Sequence, residues 1–364
     1  MAPTHFTIRL LRLPTRGALD AAHGVATTAH RLLTVVGVHV DNDLATTAGW
    51  GECSALNEVG YTHESAIGAF ELLRSGRPFA AADFPMASAA IEMALLDADL
   101  KQAGETLAER LGTAGQSAVA GAVVGLGPIP SMLHEVEDLV DQGYRRIKCK
   151  IAPGKTVVPL RAVRTSFPEV ELHVDANASL VGSDAVMLRE LRDLGVTAIE
   201  QPFAIHDHQS AIRLVGESDM QVIADEAVTD PASVEAIARD RSATAIALKP
   251  SKLGGVHVGL DILDQAHAAG LGVAIGGMLE SGLGRHVLAA FAPLPAFTVV
   301  GDLSSASRWL AEDPFPDITL RKGKILAPKR AGIAGHPNER KLQAFTIRKA
   351  FVGADAACAA LAMR

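Results

Sequence analysis

From residue 118 to residue 303 the chain alternates between short apolar runs and longer amphipathic stretches. The runs are AVAGAVV (118–124), YRRIKCKI (144–151), VELHVDAN (170–177), TAIEQP (197–202), QVIADEA (221–227), ATAIALKP (243–250), GVAIGGM (272–278) and FTVVGDL (297–303). Between them, segments such as SDAVMLRELRDLG (183–195) and GVHVGLDILDQAHAAG (255–270) carry apolar residues at helical spacing. Strands alternating with helices at this period predict parallel βαβ units. Eight such strands are enough to close a modified TIM (β/α) barrel.

The leading part of the chain has a different pattern. FTIRLLRL and RLLTVVGVHV read as strands, joined by a small-residue segment, Thr15 to Thr28, expected to be mobile. GWGECSALNEVGYTHES (49–65) reads as a loop after a strand, and SAAIEMALLDADLKQAGETLAERLG (88–112) as a long helical stretch. The fold class is therefore α/β: residues 1–115 form an α+β capping domain, 116–320 the barrel, and 321–364 a C-terminal segment packing back on the cap. Within that segment ITLRKGKILAP reads as a hairpin, and the tail after His336 is ambiguous.

Composition narrows the function classes. Apolar residues make up 48% of the 364-residue chain and charged residues 21%, enough for a large core and unlike a disordered chain. The net charge of −7 argues against a nucleic-acid partner. No stretch approaches a membrane span, and the N-terminus lacks the apolar core of a signal peptide. Three cysteines, Cys53, Cys149 and Cys358, show no metal-ligand spacing and suit a reducing compartment. The expected protein is soluble and cytoplasmic, acting on a small-molecule carboxylate. The sequence encodes no visible oligomeric state, although barrels of this kind often associate as homo-oligomers.

In such barrels chemistry gathers where the strands end. The ends here carry Lys148 and Lys150, then Asp175 and Asn177, Glu200 and Gln201, Asp225 and Glu226, and Lys249. Asp175, Glu200 and Asp225 are 25 residues apart, one βα unit each, so three adjacent strands direct a carboxylate to one place. Carboxylates so close repel one another unless a cation lies between them, and oxygen-only ligands suit a hard ion, Mg²⁺ or Mn²⁺. Lys148 and Lys150 alternate with Cys149, so both lysines share a face. Each ammonium disfavours its neighbour's charge, which is expected to lower a lysine pKa and prepare a base. Lys249, on the sixth strand, lies across the mouth from the second.

The motifs KCK, DAN, EQP, ADE and LKP, in this order and spacing, resemble the enolase superfamily. KxK followed by a lysine on the sixth strand is similar to its muconate-lactonizing subgroup. GGMLESGLGRH (276–286), LPAFTVVGDLSSASRWLAED (294–313), GWGECSAL and RRIKCKIAPGK resemble the branch holding o-succinylbenzoate synthases and N-succinylamino acid racemases. The resemblance implies Mg²⁺ bound by Asp175, Glu200 and Asp225, Lys150 as the base, Lys148 positioning it, and Lys249 on the opposite face of the substrate. It implies either a lyase reaction of menaquinone biosynthesis, α-proton abstraction followed by loss of water, or 1,1-proton transfer in a racemase or dipeptide epimerase. Epimerases usually carry an acidic DxD motif on the eighth strand, where this chain has only Asp302. A muconate cycloisomerase and a catalytically inactive binding protein on the same fold are further alternatives. Val300, Lys252 and Trp309 stand where typical members carry proline, arginine and tyrosine.

Smaller signals stay open. Glu280 reads as site-lining or as a helix cap. Asp302 and Ser304 read as substrate contacts or as turn formers. Asn177 reads as a hydrogen-bond partner of the metal ligands, and Gln201 and Glu226 as buried polar partners. His206 and His208 read as loop residues. Tyr61, Thr62 and the 15–28 segment are placed by the resemblance as lids.

Overall fold

Alternation in the first two long strands sends apolar side chains to both faces of one sheet. In a computed structural model, which describes residues 3–17, 20–21, 24–25, 29–40, 48–154 and 156–354, strands β1 (Pro3–Pro14), β2 (His30–Val40) and β3 (Gly49–Cys53) pair antiparallel in that order. Phe6, Ile8, Leu10, Val36 and Val38 pack with helices α1 (Ala66–Arg74) and α2 (Pro85–Ala103). Leu11, Leu13, Leu33, Val35 and Trp50 join the larger core shared with the barrel. Burial on both faces explains why RLLTVVGVHV is almost continuously apolar.

The seam between β3 and α2 explains the GWG triplet. A Cβ at Gly49 would lie 2.2 Å from the Ala94 carbonyl oxygen, and one at Gly51 would lie 2.0 Å from that of Ala90. Helix and strand backbones therefore touch directly, and only glycine facing alanine permits it. Trp50, between the two glycines, points the other way and meets Phe315 edge-on at 6.0 Å.

Within the 15–28 segment Asp20–Ala21 pairs with Gly24–Val25. Most of the rest, including the mobility and lid role expected of it, lies outside the described residues, as does Cys358. Cys53 and Cys149 are buried and free.

Seven parallel strands follow: β4 (Gly121–Val124), β5 (Arg146–Lys150), β6 (Glu171–Asp175), β7 (Val196–Glu200), β8 (Gln221–Ala224), β9 (Ala245–Leu248) and β10 (Gly272–Ile275), in spatial order β10 to β4. Their outer faces meet helices α3 (Ile129–Asp141), α4 (Val157–Ser166), α5 (Ala185–Asp193), α6 (His208–Glu217), α7 (Pro231–Asp240), α8 (Val256–Ala268) and α9 (Gly282–Phe291). A smaller interior cluster, Ala198, Ile223, Ala245, Ala247, Ala274 and Val299, fills the barrel. The run 118–124 is not one strand. It breaks at Ala120, with Ser117–Val119 joining a separate sheet.

The eighth run, 297–303, is reduced to a parallel bridge between Val299 and Ala274, with Asp302 N donating to Ile275 O (2.8 Å). The reason lies in Arg146. Its Nε and Nη2 donate to Val300 O at 3.0 and 2.8 Å. A Cβ at Gly121 would lie 2.5 Å from both the Arg146 Cζ and the Gly301 carbonyl oxygen. A guanidinium thus satisfies a carbonyl that a strand N–H would otherwise take, stapling the last segment to the first strand's neighbour.

The 318–328 hairpin forms, Leu320–Arg321 against Lys324–Leu326, but it pairs with Ser117–Val119 rather than with the capping sheet. Gly323 lies against Gly143, where a Cβ would meet the carbonyl oxygen at 2.1 Å, so close backbone packing holds the hairpin beneath the barrel. The later tail, through helix Glu339–Phe345, reaches the capping sheet: β11 (Thr346–Gly353) runs antiparallel along β1 as an edge strand. Among the described residues no helix is long and apolar enough to cross a membrane.

Candidate active site

Strand register levels the first part of the site. Lys150 is paired with Asp175, and Asp175 with Glu200, across β5, β6 and β7. Asp225 follows β8, and Lys249 follows β9. Five consecutive strands therefore end in lysine, three carboxylates and lysine. All three carboxylates are buried: Asp175 is 1%, Glu200 4% and Asp225 1% exposed.

Each carboxylate meets an ammonium. Lys150 Nζ donates to Asp175 Oδ2 (2.7 Å) and Asn177 Oδ1 (2.8 Å). Lys148 Nζ donates to Glu200 Oε2 (2.7 Å) and lies 2.5 Å from Asp302 Oδ2 and 3.5 Å from Asp175 Oδ2. Lys249 Nζ donates to Asp225 Oδ2 (2.6 Å) and to the Tyr61 hydroxyl (2.7 Å), which in turn donates to Asp225 Oδ1 (2.7 Å). Lys252 Nζ donates to the Asp225 backbone carbonyl (2.6 Å).

The charges set one another's protonation. Burial alone would lower Lys148, but Asp302, Glu200 and Asp175 together hold it well above the ordinary lysine value. This reverses the expectation drawn from the KxK pair: the ammonium faces three carboxylates, and their attraction outweighs repulsion from a neighbouring cation. Lys249 is likewise raised, its burial overcome by Asp225 and Glu200, whereas burial lowers Lys252. Burial would raise Asp175, yet Lys150 and Lys148 keep it below the usual carboxylate range. Lys249 and Lys252 do the same for Asp225. Glu200 goes the other way: burial, reinforced by Asp175 and Asp225, pushes it up to about 8 despite Lys148. Burial, then Asp225 and Asp175, push Glu226 up to about 7.

Local backbone is strained where the strands end. Asn177, Ala178, Gln201 and Leu279 all have positive φ (44°, 59°, 35° and 60°). Non-glycine residues adopt this region at a cost and hold it where surrounding contacts enforce it. The contacts are present: Asn177 N donates to Asp175 Oδ1 (2.9 Å) and its Nδ2 to Glu226 Oε1 (3.1 Å). Gln201 Oε1 accepts from Asp225 N (3.0 Å) and Ala227 N (3.1 Å), tying the fourth strand end to the fifth.

The other candidates fall in different places. Asp302 is the shared counter-ion of Lys148 and Arg146, whose Nη1 donates to its Oδ1 at 2.7 Å. Ser304 is buried at 4% exposure. Glu280 accepts from Met278 N (2.7 Å) and pairs with Arg285 at 3.3 Å, while Ser281 caps α9. Thr62 donates to Glu64 O within the capping loop. His206 and His208 are exposed. The sequence reading passed over Arg146 as a site residue, although strand alternation puts residues 146, 148 and 150 on one face. Lys252 and the contact of Tyr61 with Asp225 depend on tertiary structure.

Among the described residues no group of three His, Cys, Asp or Glu side chains is arranged to hold a metal ion; lysines take the carboxylate oxygens instead. The donor set nevertheless fits a hard divalent cation. It is all oxygen and buried, and Glu226 Oε2, beside it, is buried with no hydrogen-bond partner.

A parallel barrel whose mouth carries buried lysines and carboxylates on successive strands belongs to a definable class. The enolase C-terminal domain-like family model matches residues 131–341, and the chain belongs to the enolase superfamily. It is 35% identical over 316 residues to an o-succinylbenzoate synthase of Bacillus subtilis (strain 168), covering 82% of this chain and 85% of the relative. It is 33% identical over 325 residues to an N-succinylamino acid racemase of an Amycolatopsis species, covering 84% and 88%. The crystal structure of an enolase-superfamily member from Listeria innocua superposes with a TM-score of 0.86 at 29% identity, covering 97% of this chain and 100% of that one.

Proposed function

We propose that this chain is an o-succinylbenzoate synthase, removing the proton α to a carboxylate from a succinyl-hydroxycyclohexadiene-carboxylate and eliminating water in menaquinone biosynthesis. The observation that carries the chemistry is the series of five strand ends: lysine, three carboxylates, lysine. Five of eight strands span more than half the mouth, so Lys150 and Lys249 address a bound substrate from opposite sides. The relatives supply the substrate class.

Asp175, Glu200 and Asp225 would hold Mg²⁺, with Mn²⁺ as substitute. The ion supplies Lewis-acid stabilisation of charge developing on the substrate carboxylate, worth several kcal/mol. Lys150, oriented by Asp175 and Asn177, takes the α proton. Lys148 is held as an ammonium by Glu200, Asp302 and Asp175, and contributes fixed positive charge beside the base. Lys249 is kept protonated by Asp225 and faces the electron-rich enediolate that forms as the proton leaves. The capping domain lays Tyr61 over Asp225 and Lys249, which limits water at this end of the site.

The racemase reading uses the same residues, with Lys249 returning a proton from the far face. The dipeptide-epimerase reading is less favoured, because Asp302, the acid it would use for a peptide ammonium, is already committed to Lys148 and Arg146. The test is NMR in D₂O with Mg²⁺, offering the cyclohexadiene precursor and, separately, an N-succinylamino acid. Fast dehydration of the first with slow exchange of the second is the expected result. Efficient α-proton exchange without dehydration would replace the synthase by the racemase.

A further inference from the structure

Strand pairing in the capping sheet sets two cations against each other. Arg9 on β1 lies directly opposite Lys349 on the edge strand β11. Like charges facing each other across an antiparallel pair destabilise it. The neighbouring position shows a matched cation. Side chains alternate along β11, so Arg348 turns to the other face, where it reaches Glu71 and stacks on Phe70 at 4.5 Å. Among the described residues neither the Arg9 nor the Lys349 side chain forms a hydrogen bond or an ion pair, and the buried Arg9 Nε has no partner. The Lys349 ammonium lies over the Phe351 ring at 4.6 Å.

Both cations line one cavity of about 330 Å³, with Glu339 and Gln343 of helix Glu339–Phe345 and Thr346 at the start of β11. A volume of this order suits a small ligand, for which about 300–1,000 Å³ is usual. The Thr346 hydroxyl is spent on the Leu342 carbonyl at 2.6 Å. Partial burial lowers the pKa of Arg9 and of Lys349, and Arg9 lowers Lys349 further, while Glu339 opposes the shift in both from beyond ion-pair distance. Two cations against one acid leave the lining with an excess of positive charge, on a chain whose net charge is −7.

We infer that this cavity binds a small oxyanion, a carboxylate or a phosphate group, between Arg9 and Lys349. An anion there turns one cross-strand repulsion into two attractions. It also ties the last helix and strand of the described chain to β1. A guanidinium offers paired N–H donors that match the oxygens of either group, and the ammonium adds a compact point charge. The cavity shares no residue with the barrel mouth, so its occupant acts on the stability of the cap and not on proton transfer.

The experiment measures the melting temperature of the full chain in sodium chloride, sodium phosphate and sodium succinate at equal ionic strength, for the wild type, Lys349→Gln and Arg348→Gln. Phosphate or succinate at saturating concentration is expected to raise the wild type by about 2 °C over chloride, since a ligand that binds only the folded chain stabilises it. The larger of the two rises tells a phosphate from a carboxylate occupant. Lys349 is exposed, so its substitution does not threaten the fold. Lys349→Gln removes the repulsion and is expected to melt no lower than the wild type in chloride and to lose the response to both anions. Arg348→Gln is expected to keep the response. A wild type that responds to neither anion would overturn the inference. An equal rise in Lys349→Gln would also overturn it, because it would mark a general salt effect. Lys349→Gln melting well below the wild type in chloride would do the same, because the two cations would then not be opposed.

Discussion

Two buried ionic clusters among the described residues are built in opposite ways. At the barrel mouth Lys148, Lys150, Lys249 and Arg146 are matched against Asp175, Glu200, Asp225 and Asp302, each cation within 2.7 Å of a carboxylate oxygen. At the junction between the capping sheet and the barrel, Arg31, Glu52, Glu280, Ser281 and Arg285 are just as deeply buried but poorly matched. Arg31 spends its donors on backbone carbonyls of Leu32, Ser54 and Ala55. Ser281 reaches Glu52 Oε2, while Glu52 Oε1, Glu280 Oε2 and Arg285 Nε accept or donate no hydrogen bond, Glu280 Oε2 lying 3.3 Å from Arg285 Nη2 as a looser ion pair. In the proposed mechanism the mouth keeps its charges because fixed charge is what that chemistry needs. The junction, where Arg31 turns its donors to backbone carbonyls, instead favours a neutral acid: burial, with Glu280 and Asp313 adding to it, pushes Glu52 up to about 8. Close charge pairing thus separates the proposed catalytic cluster from the one at the junction.

The sharpest way to break this contrast is at the mouth. Lys150→Ala is expected to lower kcat by about a thousandfold, within the range for loss of a positioned base, and to leave the fold intact. Near-normal turnover in a steady-state assay would remove Lys150 from the mechanism. Arg146→Leu comes next. It leaves Asp302 with Lys148 as its remaining counter-ion and the Val300 carbonyl without its two donors, so a loss of about 3 kcal/mol is expected in denaturant unfolding, at the lower end of that for breaking a buried pair. A loss under about 1 kcal/mol would mean that the staple does not close the barrel.

The smallest effect sharpens the other side of the comparison. Between the ordinary carboxylate value of 4.5 and about 8, the folded chain keeps a proton on Glu52 that the unfolded chain releases. The folded state then binds more protons, so this residue makes stability fall as pH rises through that window. Glu52→Gln cannot titrate and retains an acceptor for Ser281. Its melting temperature relative to wild type is expected to climb from pH 5 to pH 8 by roughly 2 °C or more. A difference independent of pH would show that Glu52 is ionised at the junction.

Much of the site was legible from spacing. The period of 25 residues between Asp175, Glu200 and Asp225 is the length of a βα unit, and parallel strands necessarily bring such residues together. Alternation likewise placed Lys148 and Lys150 on one face and Cys149 in the core. Spacing carries no information about which side chain neutralises which. The raised pKa of Lys148 arises from Asp302, more than 150 residues away, and Tyr61 reaches Asp225 from a capping loop.

The sequence by itself determined the layered α/β architecture, the strand ends that carry the lysines and carboxylates, and the family, because hydrophobic period and local motifs are short-range properties. Only the tertiary structure decided how the barrel closes, with Arg146 standing in for the ladder of an eighth strand. It also decided that the 318–328 hairpin lies under the barrel while β11 completes the cap, and that Lys252 and Tyr61 converge on Asp225. These features depend on long-range packing and on the Coulomb balance among buried groups, which no local pattern in a chain encodes.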